Sequence, residues 1–145
     1  MKKYILIIIF LLSNLFTIST SIANETTAYF VRPADLKTAG QGVKLYLGKD
    51  YVGKLWHNKY AKVKSTNGKH KITTKVGLSV GLPVTGLGGA KKFKSKFEFT
   101  KDAHYFKIKF KMGKLLLPGK HEVIEINKDE YEKLISNSTE IKYKD

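Results

Sequence analysis

Residues 43–76 read VKLYLGKDYVGKLWHNKYAKVKSTNGKHKITTKV. The stretch reads as four short strands separated by turns. Val43, Leu45 and Leu47 alternate with Lys44 and Tyr46, the period of a strand with one buried face. Gly48-Lys49-Asp50 interrupts that run, and residues 51–55 follow as the return strand. Residues 59–64 are a third run. Asn67-Gly68 then predicts a tight hairpin, because both residues tolerate positive φ. Beyond it, His70, Ile72, Thr74 and Val76 share one face, while Lys69, Lys71 and Lys75 share the other. The expectation is a small antiparallel sheet with one apolar side.

The same alternation returns downstream. Phe93, Phe97 and Phe99 oppose Lys94, Lys96 and Glu98; Phe106, Ile108, Phe110 and Met112 oppose Lys107, Lys109 and Lys111. Lys101-Asp102-Ala103 connects the two runs, which predicts a second hairpin. Pairing would gather Lys94, Lys96, Lys107, Lys109 and Lys111 into one anion-binding patch. Like charges across a sheet are mildly destabilising, so an anionic partner would relieve them. The plainer alternative is a solvated face screened by water and Glu98. Around these runs, residues 28–32 form a first strand ended by Pro33. Residues 34–42 connect it onward, with a turn of helix at 35–37 as one option. Residues 115–117 and 121–126 are the last strands. Asn127, with Glu130 three positions on, resembles a capping box. Tyr131, Leu134 and Ile135 give the helix it opens an apolar face. The fold expected is all-β: an antiparallel β-sandwich with a short C-terminal helix.

The beginning of the chain reads differently. Lys2 and Lys3 precede the apolar run 5–12, and Ser21-Ile22-Ala23 ends a small, polar stretch. This is the pattern of a secretory signal peptide over residues 1–23. The alternative is an uncleaved anchor, for which the run is short against the roughly 20 residues a span needs. The expected domain then covers residues 24–136, and 137–145 form a polar tail. No other segment is long and apolar enough for a transmembrane helix. The chain of 145 residues has no Cys, so an exported domain must draw its stability from a core. The expected location is the cell envelope, periplasmic or extracellular.

Charge is unevenly placed. The net charge is +15. Between residues 37 and 114, nineteen Lys stand against Asp50, Glu98 and Asp102; from 115 onward, five Lys face seven acids. Arg32 is the only Arg. Lysine carries a flexible point charge and lacks the planar fork that reads phosphates and base edges. The composition suits diffuse attraction to an anionic lipid or polysaccharide surface or, more plainly, lysines that are only the solvated face of the strands; it argues against sequence-specific nucleic acid.

Residues 77–90, GLSVGLPVTGLGGA, hold five Gly and no charge. So long a loop in a compact domain is often functional. It can fold over one end of the sandwich, or touch a membrane or partner through Leu82, Val84 and Leu87. A phosphate cradle fits poorly, because the spacing and the Ser/Thr of a P-loop are missing. No catalytic set is visible. His57, His70, His104 and His121 are each isolated, carboxylates are scarce in the strands, and no Ser has a nucleophile-elbow context. His70 and His121 share a turn-Gly-Lys-His setting, which suits either a pair of ligands or, more simply, two turn-bonding histidines. No catalytic residue, metal or cofactor is expected.

Several of these features together resemble a known family. They are Arg32-Pro33 after an opening strand, Gly53-Lys54, the turn at Asn67 to His70, the aromatic strand entered at Lys101-Asp102-Ala103-His104-Tyr105-Phe106, and the closing acidic helix. The arrangement is similar to PEGA-type domains and to small bacterial envelope proteins of unknown function. The resemblance implies an immunoglobulin-like or transthyretin-like sandwich, an envelope location and no known reaction; the leader, the strand patterning and the missing catalytic set point to a module that binds or scaffolds another envelope component. The chain departs from it in having Asn67 where Pro is usual, and in its long Gly-rich segment.

Overall fold

Alternating side chains specify which way each residue of a strand points, and in this chain that pattern holds nearly everywhere it can be followed. The computed structural model describes residues 24–34, 42–76, 92–111 and 120–141. The leader 1–23, the turn 35–37, the segment 77–90 with Leu82, Val84 and Leu87, the strand 115–117 and residues 142–145 lie outside the described residues.

The elements in order are β1 (Glu25–Arg32), β2 (Val43–Leu47), β3 (Asp50–Leu55), β4 (Lys59–Thr66), β5 (Gly68–Val76), β6 (Lys92–Phe99), β7 (Ala103–Lys111), β8 (Lys120–Ile126), the helix α1 (Lys128–Ile135) and β9 (Thr139–Glu140). They form two sheets. Sheet A has the order β8-β7-β1-β4-β9, and sheet B the order β3-β2-β5-β6. The apolar faces of both meet in one core. Ala28, Phe30, Ala61, Phe106, Ile108 and Val123 come from sheet A, and Leu45, Leu47, Val52, Leu55, Ile72 and Phe99 from sheet B. Phe106 lies at its centre, with ring centroids 5.2 Å from Phe30, 4.8 Å from Phe97 and 5.7 Å from Phe99.

The strands are thus where the alternation puts them, but their partners differ from expectation in three places. Asn67-Gly68 does not close a hairpin: β4 belongs to sheet A and β5 to sheet B. A two-residue hairpin of the type Asn-Gly favours needs positive φ at both residues. Here Asn67 lacks it and Gly68 stands at 128°, so the chain changes layer instead. Residues 100–102 likewise link β6 in sheet B to β7 in sheet A. Finally, the sheets are not purely antiparallel. β1 pairs β7 in parallel, and so does β4 with β9. The path from β1 to β7 runs through sheet B, which gives it the length a parallel return requires.

Histidine side chains hold the β4–β5 and β6–β7 corners. His70 Nε2 lies 2.6 Å from the Thr66 carbonyl oxygen, to which it donates across Asn67-Gly68. At the other corner, His104 Nε2 accepts from the Thr100 and Lys101 backbone N–H groups at 3.0 and 3.2 Å. That fixes the ring proton on Nδ1, which donates to Glu125 Oε1 at 2.7 Å. Phe99 stacks on His104 and packs against His70, with centroids 4.7 and 4.4 Å away.

The C-terminal segment belongs to the fold as far as Ile141. Asn127 Oδ1 caps α1 by accepting from Glu130 N at 2.8 Å, as the sequence predicts. Tyr131 is buried against the outer face of sheet A, 5.6 Å from Tyr29 and 5.2 Å from Tyr105 by ring centroid. The chain then pairs as β9 with β4, and Ile141 packs against the core beside Gly53. A polar composition concealed this, because a two-residue edge strand needs little apolar surface.

Candidate anion-docking face

Splitting β6 from β7 divides the lysines that a hairpin would have gathered. Lys94 and Lys96 lie on the outer face of sheet B; Lys107, Lys109 and Lys111 lie on the outer face of sheet A. The two groups point away from each other and have different surroundings.

On sheet A four of the lysines are met by acids. Lys107 pairs with Glu130 of the helix, and Lys111 and Lys120 approach Glu122 at 3.8 and 2.8 Å. Lys64 lies 3.6 Å from Glu25. The hydrogen bond from Lys120, aided by Lys111 and Lys109, holds the Glu122 carboxyl below its ordinary range. The helix α1 also packs on this face, with Tyr131 against Tyr29 of β1 and Tyr105 of β7.

Sheet B is different. The register aligns Lys69 with Glu98, Lys71 with Lys96, Thr73 with Lys94 and Lys75 with Lys92 across β5 and β6. On β2 and β3, Lys44 stands opposite Lys54. Eight lysines and one acid therefore point outward from four adjacent strands. Among the described residues, no ion pair joins any of these lysines to a carboxylate. Lys71 sits at the centre of the cluster. The Lys94 ammonium first, then burial and the Lys92 and Lys96 charges, push its pKa below the ordinary lysine value. Strands lie about 4.8 Å apart, and same-face residues about 6.7 Å apart along a strand. The charges consequently form a two-dimensional grid.

Aromatic rings border that grid on the β3 side. The register shift between Leu45 and Tyr46 makes Val52 an extra residue. The bulge turns Val52 into the core and sets Tyr51 beside Tyr46 on the outer face, ring centroids 5.2 Å apart. Lys75 Nζ lies 4.3 Å over the Tyr46 ring, and Lys54 Nζ 4.2 Å over the Trp56 ring. Tyr51 and Trp56 remain 43% and 41% exposed.

Sequence reasoning singled out Lys94 and Lys96 on this face but passed over Lys44, Lys54, Lys69, Lys71, Lys75, Lys92 and the three rings. The signal was available in the alternation of Lys44-Tyr46 and of Lys69-Lys71-Lys75. What it lacked was the sheet membership of each strand.

The histidines do not converge. His70 packs on Phe99, whereas His121 sits near Phe93 and Phe110, toward the other end of β6. His104 uses both ring nitrogens in its corner, so no lone pair is left to take a substrate proton. Among the described residues, no group of three or more His, Cys, Asp or Glu is placed to hold a metal. Among them too, no helix is long and apolar enough to cross a membrane.

Over the described residues the molecule is mostly β, in two sheets with one short helix and a strongly basic outer face on one sheet. No protein-family model, curated protein or solved structure matches the chain.

Proposed function

We propose that this is an exported, non-catalytic binding module of the cell envelope, which docks on an anionic component through the outer face of sheet B. The leader-like residues 1–23 motivate the export. Two packed sheets with a basic face suit the immunoglobulin-like or transthyretin-like, PEGA-related sandwich that the sequence resembles, and a scaffolding or binding role with it. The observation that carries the proposal is the asymmetry of charge. Four lysines of sheet A (Lys64, Lys107, Lys111 and Lys120) have carboxylate partners, whereas the eight on sheet B have none among the described residues. Such a cluster raises the energy of the free protein and is relieved by a polyanion.

The test is a titration of the chain with soluble dextran sulfate and with anionic vesicles at rising salt. Binding to at least one of them, weakening steeply as the Debye length falls from about 10 Å at 0.1 M to about 3 Å at 1 M, is expected. Absence of binding to both at low salt, or binding indifferent to salt, overturns the proposal.

A further inference from the structure

We infer that the occupant of this face is an anionic lipid bilayer, on which sheet B lies flat with Tyr51 and Trp56 entering the headgroup layer at the β3 margin. The inference rests on the docking reading above and adds the identity and orientation of the partner.

Two features favour a bilayer over a linear polyanion. The first is the shape of the charge. A single polysaccharide or nucleic-acid strand follows one row of cations, usually in a groove. Here the lysines extend both along β5 and β6 and across to β2 and β3. An array of anionic headgroups has the same two-dimensional order, and each lysine brought near it contributes. The second is the placement of the aromatic side chains. Tyr and Trp favour the interface between water and hydrocarbon, where a ring is half buried and its polar end stays wet. Tyr51 and Trp56 are about two-fifths exposed at the edge of the grid, not within the core; Tyr51 sits against Tyr46 and Trp56 under Lys54. Lysines over Tyr46 and Trp56 keep ammonium groups beside those rings. Charge would bring the face down, and the rings would then anchor one margin.

Trp56 is the sole tryptophan of the chain, so its fluorescence reports on that margin directly. The experiment uses the chain beginning at Asn24, which contains every described element and excludes the apolar leader as a cause of binding. Its emission is followed with phosphatidylglycerol-containing vesicles, with neutral phosphatidylcholine vesicles and with dextran sulfate. A blue shift with the anionic vesicles alone, quenched by bromine-labelled acyl chains, is expected. Tyr51→Ser should weaken vesicle binding about tenfold, from the apolar ring area it withdraws, and leave dextran sulfate binding unchanged. Binding to dextran sulfate with none to anionic vesicles would overturn the bilayer assignment while leaving the docking proposal standing. Binding to neither would overturn both. Vesicle binding without any shift of Trp56 emission would refute the orientation.

Discussion

Replacing His104 by Phe tests whether this histidine is a structural clamp. The substitution keeps an aromatic ring of similar size against Phe99, 4.7 Å away, and removes three hydrogen bonds. Thr100 and Lys101 are exposed residues, so water can reach their N–H groups once the ring nitrogen is gone. Each of those bonds is then worth close to the usual net value, about 1 kcal/mol. The bond to Glu125 involves a charged partner that is 43% exposed, which places it at the low end for such bonds, about 1.5 kcal/mol. The sum is about 3.5 kcal/mol. For a domain of this size that lowers Tm by roughly 10 °C. Urea or thermal unfolding followed by Trp56 emission and far-UV dichroism measures it. A loss under about 1 kcal/mol would refute the clamp. Neighbouring bonds from Thr26 Oγ1 to the Lys101 carbonyl and from Thr27 N to the Asp102 carbonyl would then be holding the corner alone.

Other side chains of the fold give equally specific outcomes. The Tyr131 hydroxyl is buried without a hydrogen-bond partner, and burial pushes its pKa well above the usual tyrosine value. Tyr131→Phe should therefore be neutral or stabilise by about 1 kcal/mol in urea unfolding, since no bond is lost. Gly53 has φ 148°, and a Cβ there would come within 2.7 Å of Ile141 Cδ1. Gly53→Ala should cost about 1–3 kcal/mol by combining strain with overpacking, and Ile141→Ala in the same chain should recover only the packing part. Lys71→Thr should raise Tm at low salt, with the gain shrinking as salt screens the cluster. The sign with pH is the same: a lysine whose folded pKa is depressed penalises the fold while charged, and the penalty disappears as pH rises through that pKa.

How far the sequence revealed this fold depends on what each residue pattern encodes. Alternation in β5, β6 and β7 encodes facing direction, and Ile72, Phe99, Phe106 and Ile108 are buried as it demands. The Asn127 cap was equally plain, because capping is local. Partner choice is not local. Asn67-Gly68 and Lys101-Asp102 reverse the chain whether the flanking strands pair or separate into two layers. The contacts that decide between those outcomes, such as Asn67 N to the Asn24 carbonyl and Thr27 N to the Asp102 carbonyl, join residues far apart in the chain. The docking face suffered from that same gap. Lys94 and Lys107 are both outward, yet only the sheet assignment shows that they face opposite directions. The Tyr51 position depended on a bulge at Val52, for which the neighbouring Gly53 is the one local signal.

The most direct test of the docking face compares two triple neutralisations in anionic-vesicle binding at physiological salt. Lys69→Gln/Lys94→Gln/Lys96→Gln removes charge from sheet B, and Lys62→Gln/Lys109→Gln/Lys111→Gln removes the same amount from sheet A. At about 1 kcal/mol for each lysine near an anionic surface, the sheet B triple should lose affinity roughly 150-fold, and the sheet A triple less than about fivefold. Equal losses from the two triples would contradict the account.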